Sequence, residues 1–389
     1  MSATGTGGRV LIAVTHLLGS GHLVRAAHLA RALAENGFSV TLASGGMPLR
    51  PMAGEPFTFV QLPPVKVEGV DFRNLLDEGG RPVDASRLAD RQASLAGLAT
   101  SLRPDLVITE HFPFGRRQLA GEFLGLIAAA KAASPNALVL SSVRDVLVTP
   151  RPDRIAEAER RLAEQFDGIL VHGDRTFLPL DLSWPVSREL AGKLHYTGYL
   201  APPPLRMERG NDGEGEIVVS GGGSAAALPL FRLCIEAARL STSSRSWRIL
   251  VGRGVAEADF DGLRQSASPN VTVERVRPDF PALLARCALS ISQAGYNTVL
   301  DLVAAGRPAI VVPFDEGGET EQAVRAEAMQ RAGLARCLRL SEGGAAGAVR
   351  FAEAVEAALE DGAPTASAIE RNGAAKVAGI VVGLLAERS

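Results

Sequence analysis

Arg9-Val-Leu-Ile-Ala-Val-Thr15, then His16-Leu-Leu-Gly-Ser-Gly21, then an amphipathic run from His22 to Asn36 closed by Gly37, is the stretch that decides the fold. The short apolar run reads as a strand and the glycine pair as a turn. The run after it reads as a helix with Gly37 as its C-terminal cap. A second strand over 39–44 completes one βαβ unit. Short apolar runs keep alternating with amphipathic segments, which predicts a parallel sheet. Further strands fall at 106–110, 137–143 and 168–172. The segment 45–103 is rich in Pro, Gly and charge, and no pairing can be read from it.

Outward from there, the pattern pauses and restarts. Residues 198–215 hold three prolines, Pro202 to Pro204, and the run Glu208-Arg-Gly-Asn-Asp-Gly213, which is linker chemistry. Strands are then predicted at 216–220, 247–251, 271–276, 288–292, 309–313 and 335–340, with helices at 228–240, 297–305, 348–360 and 366–388. The fold class is therefore α/β, with two Rossmann-like domains facing each other across a cleft. The expected parts are an N-terminal domain over 1–200, a linker over 201–215, and a second domain over 216–365. A C-terminal helix over 366–389 is placed to pack back on the first domain.

The 389 residues suit two or three domains at roughly 150 residues each. Hydrophobic residues are 46% and charged ones 22%, as in ordinary globular proteins. A net charge of -2 supplies no global field for nucleic acid, so no nucleic-acid partner is expected. Cys234, Cys287 and Cys337 stand far apart and form no CxxC pair, which fits buried thiols in a reducing cytoplasm. No apolar run approaches the about 18 residues of a membrane span, and no signal peptide is visible. The expected location is cytoplasmic, with peripheral membrane contact left open.

Four constellations can carry chemistry. Gly19-Ser-Gly21-His22-Leu-Val-Arg25 leads from strand to helix, so unpaired N–H groups and the positive end of a dipole face outward. His22, in the first helical turn, can act as a base. Ser220-Gly-Gly222-Gly223-Ser224 repeats this turn at the start of the second half and can hold a diphosphate. In Ser292-Gln-Ala-Gly295-Tyr-Asn297-Thr298-Val-Leu-Asp301, the helix N-terminus can approach phosphates, while the Asp301 carboxylate can accept both ribose hydroxyl protons. Pro313 to Gln322 follows a strand, and Glu321 and Gln322 can bond sugar hydroxyls. His111 and Arg116, after the strand 106–110, can face an acceptor. Arg144 and Asp145 read equally well as a loop-fixing pair, and His16 and His28 rank below His22. Asp259-Phe-Asp261 is nominally a metal motif. It lies at a helix start, so it reads as first-turn acids and no metal ligand is assigned.

These spacings resemble the GT-B glycosyltransferases, in particular the branch related to the N-acetylglucosaminyl transferase that completes peptidoglycan lipid II. The most specific stretch is Val276-Arg-Pro-Asp-Phe-Pro through Gly295, and Asp301-Leu-Val-Ala-Ala-Gly-Arg-Pro through Pro313-Phe. The resemblance implies that the N-terminal domain takes the acceptor and the second domain the nucleotide-sugar, that Asp301 binds ribose, and that Gly221 to Ser224 lie against the phosphates. It implies that backbone near Val276 and Arg277 reads a base, usually uracil, and that Glu321 and Gln322 touch the donor sugar. His22 is then the candidate base. The nucleotide-sugar is a co-substrate, with no cofactor and no metal, and the acceptor is a small molecule or lipid-linked. Asp301 is one methylene shorter than the glutamate usual in the family, and the loop before Glu321 is longer. Donor identity therefore does not carry over.

The first glycine loop also resembles that of a nucleotide-sugar hydrolase of the pseudaminic acid pathway. The favoured reading is transfer of a sugar from a nucleotide diphosphate sugar, UDP by expectation, to a hydroxyl with inversion. The alternatives are a nucleotide-sugar hydrolase, a non-hydrolysing 2-epimerase, or a non-catalytic sensor. The run 115–133 has the Leu, Ile and Phe content of an apolar acceptor patch, and equally of a buried helix face.

Overall fold

The structure is a computed structural model that describes residues 7–17, 19–49, 52, 54–68, 74–148, 151–200, 210–223, 225–314, 320–340, 347–364 and 369–388. It divides into two compact units. One comprises Met1–Pro202 with Glu370–Ser389, the other Pro203–Ile369.

Unit 1 runs β1 (Gly7–Val14), α1 (Gly21–Glu35), β2 (Phe38–Ser44), β3 (Thr58–Gln61), α2 (Ala85–Leu102) and β4 (Leu106–Glu110). It continues with α3 (Ala120–Ala133), β5 (Leu138–Arg144), α4 (Pro152–Gln165), β6 (Gly168–His172), α5 (Arg188–Ala191) and β7 (Leu194–Tyr196). All seven strands are parallel, in the order β3-β2-β1-β4-β5-β6-β7. In β1, Leu11 and Ala13 enter one core while Val10, Ile12 and Val14 enter another. Burial on both faces is why the strand reads as a continuous apolar run rather than an alternating one.

Unit 2 runs β8 (Ile217–Ser220), α6 (Leu228–Leu240), β9 (Trp247–Val251), α7 (Glu257–Ser266), β10 (Val271–Arg275) and α8 (Phe280–Arg286). Then come β11 (Leu289–Ser292), α9 (Tyr296–Ala305), β12 (Ala309–Val311), α10 (Glu321–Arg331), β13 (Arg336–Cys337) and α11 (Gly347–Asp361). Its parallel sheet has the order β10-β9-β8-β11-β12-β13. Each sheet thus reverses direction once, between β1 and β4 and between β8 and β11. In such sheets ligands bind beyond the carboxyl ends of the strands at that switch point.

The last helix, α12 (Gly373–Ala386), starts later than the 366–389 expected, and 369–372 are not helical. Asn372 bridges to Leu200, and Tyr199 N–H donates to Glu370 O at 2.8 Å. Val377, Ala378 and Val381 of α12 join the core that α1 builds. The linker chemistry is also partly tied down. Arg277 donates to Asp212 at 2.7 Å, and Arg286 donates to the carbonyls of Gly210 and Asp212, so 210–215 belongs to unit 2. Residues 201–209 lie outside the described residues.

The unread segment 45–103 contains β3 and α2. Asp84 caps α2 by accepting from Arg87 N–H at 2.8 Å. Arg91 on α2 is fully buried and grips Glu122 of α3 with two hydrogen bonds, of 2.8 and 2.7 Å. It also donates to Thr15 Oγ1 and Gly45 O, so the ends of β1 and β2 are anchored to the α2–α3 layer. A Cβ on Gly45 would lie 2.3 Å from Arg91 Nη2, which requires glycine there. The apolar run 115–133 resolves as a helix face: Phe123, Leu126, Ile127 and Ala130 of α3 are buried in the core. No helix among the described residues is long and apolar enough to cross a membrane.

Candidate functional site

In unit 1 the chemistry gathers at the β1/β4 switch point. The glycine turn after β1 carries Gly19 at φ +66° and delivers Gly21 and His22 as the first residues of α1. Ser20 at the N-cap makes no side-chain cap, so among the described residues the first N–H groups of α1 have no intrahelical or capping partner. β4 ends in Glu110, whose side chain is 1% exposed. Its Oε1 lies 3.0 Å from His22 Nδ1 and forms an ion pair with Arg25 one turn along the helix. Its Oε2 accepts from Ser142 Oγ at 2.5 Å.

These partners decide the His22 tautomer. Arg25 Nη2 lies 3.2 Å from the same Nδ1, and a guanidinium can only donate. If Nδ1 accepted from Arg25, its lone pair would face the Glu110 carboxylate at 3.0 Å, two acceptors in repulsion. Nδ1 therefore carries the proton and donates to Glu110, and Nε2 keeps a free lone pair. Burial, then the positive charges of Arg116, Arg25 and Arg144, hold the His22 pKa well below the ordinary histidine value. The imidazole is neutral at pH 7, with an anchored N–H on one side and a basic nitrogen on the other. This is the arrangement of an oriented general base.

His111 follows Glu110 directly, at φ +68°, and its ring centroid lies 5.1 Å from that of His22. A Cβ on Gly115 would lie 2.4 Å from the His111 ring, so the glycine gives the ring its place. Burial, followed by the neighbouring His22 and Arg116, also pulls the His111 pKa well down. Arg116 reaches back to donate to Thr15 O at 2.6 Å, and desolvation lowers its pKa to about 10. Asp145 accepts from Val146 N–H and from the Tyr199 hydroxyl at 3.0 Å, which is a loop-fixing role. His28 lies 3.4 Å from Leu200 O, away from this group.

In unit 2, the carboxyl ends of the strands line up along the sheet. Val276 follows β10, Gly252 follows β9, the glycine turn follows β8, Gly295 follows β11, and β12 leads on to Phe314. The three glycines of the turn serve different ends. A Cβ on Gly221 would lie 2.0 Å from Ala227 Cβ, so Gly221 permits close packing. Gly222 holds φ +71°, a left-handed conformation. Gly223 has open space at its Cβ position, which leaves its backbone accessible to a ligand. Gly252 packs directly under this turn, and Gly254 N–H donates to Gly223 O at 3.0 Å. Ser224 lies outside the described residues.

Ser220 and Ser292 are register partners on β8 and β11, so the two loops leave the sheet side by side. Gly295 caps α9 without a side-chain hydrogen bond, and Asn297 is exposed in the open first turn beside Thr298. Asp301 stands three residues beyond Thr298 on the same helix face. It makes no hydrogen bond or ion pair among the described residues, and burial raises its carboxyl pKa to about 6. Arg325, fully buried on α10, donates to Ala294 O at 2.8 Å and pins the entry to α9. Gln322 accepts from Phe314 N–H at 3.1 Å, while Glu321 is 3% exposed. Val276 N–H donates to Val251 O at 3.0 Å, so its carbonyl is the group left for a base. Asp259 is a first-turn acid of α7, 3.6 Å from Arg232. Among the described residues, no group of three His, Cys, Asp or Glu side chains is placed to hold a metal ion.

Residues 217–376, which carry these unit 2 loops, match the glycosyltransferase family 28 C-terminal domain. This part of the chain resembles that domain. Over 223 residues the chain is 28% identical to the UDP-N-acetylglucosamine–N-acetylmuramyl-(pentapeptide) pyrophosphoryl-undecaprenol N-acetylglucosamine transferase of Paramagnetospirillum magneticum, covering 54% of each protein. The enzyme of the same name from Rhodospirillum centenum is 40% identical over 90 residues, 23% of each chain. The chain thus spans about half the length of the first curated relative, or less of others. Among solved structures, CalG4, a calicheamicin glycosyltransferase, superposes with a TM-score of 0.62 at 18% identity, over 98% of this chain and 99% of that one. MurG of Acinetobacter baumannii superposes at 0.61 and 17% identity, over 96% and 99%. The fold is that of the GT-B glycosyltransferases.

Sequence reasoning singled out His22, His111 and Arg116 and passed over Glu110 as a strand end. The signal was present: an acidic residue closes the otherwise apolar strand Leu106-Val-Ile-Thr-Glu110, and a carboxylate so placed needs cationic or hydrogen-bonding partners. Ser142, His172 and Thr197, which extend the network from Glu110, carried no readable signal. Their pairing depends on strand order.

Proposed function

We propose that the protein transfers a sugar from a nucleoside diphosphate sugar to an acceptor hydroxyl, with inversion at the anomeric carbon. The observation that carries this reading is the match to the family 28 domain, with an unpartnered Asp301 carboxylate beside an open glycine turn. Asp301 accepts from the two ribose hydroxyls. The N–H groups of Gly222, Gly223 and the α9 N-terminus, with Gly295, Asn297 and Thr298, take the diphosphate. The Val276 carbonyl meets the base, and Glu321 and Gln322 serve the sugar. UDP is the favoured nucleotide, because the curated relatives are named as UDP-N-acetylglucosamine enzymes.

In the reaction, His22 Nε2 takes the proton of the acceptor hydroxyl as its oxygen attacks the anomeric carbon. The bond to the diphosphate breaks, and the leaving oxygen keeps the electron pair. Glu110 stabilises the imidazolium that forms, while His111 orients the acceptor. The acceptor is a small molecule or a lipid-linked one, met at the cytoplasmic side of a membrane in the second case. The match to transferases favours this over hydrolysis or 2-epimerisation. Calorimetry with UDP, GDP, dTDP and ADP on wild type and Asp301→Ala tests the donor half. One diphosphate should bind, and the substitution should weaken it. A folded protein that binds none of the four would overturn the proposal.

A further inference from the structure

Beyond Glu110, a line of buried polar groups crosses three further strands. Ser142 Oγ on β5 lies 3.0 Å from His172 Nε2 on β6, and His172 Nδ1 lies 2.9 Å from Thr197 Oγ1, just past β7. Ser142, His172 and Thr197 are each no more than 1% exposed. A transferase base needs only His22 and its carboxylate, and a parallel sheet interior ordinarily holds aliphatic side chains at such positions. Four polar groups joined at the ends of neighbouring strands therefore require an account.

Hydrogen positions follow from the charge at one end. Glu110 is ion-paired with Arg25, and an ionised carboxylate only accepts. Ser142 has one hydroxyl proton, and at 2.5 Å from Glu110 Oε2 it is given there. Ser142 Oγ then has only lone pairs to offer His172, so His172 Nε2 must carry the proton and donate. Its Nδ1 is then an acceptor, which shares the one Thr197 hydroxyl proton, at 2.9 Å, with Gly198 O at 2.7 Å and Val171 O at 3.3 Å. The His172 and Ser142 dipoles point toward the buried negative charge, an arrangement in which each hydrogen bond strengthens the next. Burial lowers the His172 pKa to about 3, so it stays neutral and has a single ring proton to place.

We propose that His172 is a positioning residue that acts through Ser142, holding Glu110 Oε2 so that Oε1 faces His22 Nδ1 and the His22 Nε2 lone pair faces the acceptor. The proposal rests on the reading of His22 as the base. The groups that bear on His22 are Arg25 on its own helix, Glu110 at the end of β4 and His111 after it, Arg116, Arg144 at the end of β5, and His16 after β1. Among the hydrogen bonds described, the carboxylate's second oxygen, Oε2, is held by Ser142.

Long-range proton–nitrogen correlation spectra of the full chain, with ¹⁵N-labelled histidine, report the tautomer of each of the six histidines. His172 is expected as the Nε2–H form and His22 as the Nδ1–H form. In Ser142→Ala the His22 signals should move toward exchange between the two tautomers, and Ser142→Thr, which keeps the hydroxyl, should restore them. A merely structural serine would shift stability and leave the His22 tautomer alone. Finding His172 as the Nδ1–H form, or His22 unchanged in Ser142→Ala, overturns the proposal. UDP calorimetry on the same samples separates the two readings. Failure of UDP binding in wild type counts against the transferase, whereas unchanged His22 signals with UDP bound count against the positioning role alone.

Discussion

Replacing Asp301 by asparagine should stabilise the protein and weaken nucleotide binding at once. Burial moves this carboxyl from 3.8 to about 6. Two pKa units correspond to about 3 kcal/mol of preference for the neutral form in the folded state. The sign follows from which state ionises first. Below pH 3.8 the group is protonated in both states and costs nothing. Between that value and about 6 the unfolded chain ionises before the folded one, so stability falls as pH rises, and above pH 6 the full cost applies. Asp301 is not wholly enclosed and the amide must also lose water, so the net gain in Asp301→Asn at pH 8 is about 1–2 kcal/mol.

For a unit of this size that is about 2–8 °C in Tm, shrinking toward zero at pH 4. Binding should move the other way. The neutral amide replaces two charge-assisted hydrogen bonds to ribose with weaker ones, a loss of about 10- to 100-fold in Kd for UDP. Scanning calorimetry of the whole chain at pH 4 and 8, following the transition that UDP shifts, reads both quantities. A Tm gain equal at the two pH values, or unchanged UDP affinity, would refute the reasoning that a bare, desolvated carboxylate is kept for a ligand.

Four other outcomes follow from the structure. His22→Ala should lower turnover of a donor–acceptor pair by about 10²- to 10⁴-fold while UDP affinity in calorimetry stays within twofold. Because the His22 pKa is depressed, wild-type activity should persist below pH 6.5 rather than falling with an ordinary histidine. Gly221→Ala should destabilise unit 2 strongly, since its Cβ would collide with Ala227. Gly223→Ala should leave the melting temperature unchanged, yet reduce UDP affinity by obstructing the backbone. Arg91→Met should cost about 3–5 kcal/mol in a denaturant titration by leaving the Glu122 charge buried and unpaired, whereas Arg91→Met with Glu122→Leu should recover much of it.

Both sheets were legible because their central strands are buried on two faces and so write continuous apolar runs. β4, β6 and β9 fall where sequence reading puts them. The edge strands β3 and β7 were not legible: they are short, half-buried and carry polar residues such as Gln61 and His195. α2 was hidden because only Arg91, Leu95 and Ala99 are buried along its 18 residues, too thin an apolar stripe to stand out beside the Pro- and Gly-rich run before it. The start of α12 could not be read because 369–372 bond to Tyr199 and Asp174, partners distant in sequence.

The sequence by itself determined the two glycine turns, the strand-to-helix order around them, and the residue types His22 at a helix start and Asp301 a turn further along its helix, since these depend on local chemistry and periodicity. Only the tertiary structure decided which groups meet. Glu110 reaches His22, 88 positions away in sequence, because β4 lies next to β1, and Ser142, His172 and Thr197 join it because β5, β6 and β7 follow in that order. Strand order comes from how helices cover the two faces of the sheet, a property of the whole unit, and so no local pattern could announce that an acid at one strand's end would orient a histidine at another's.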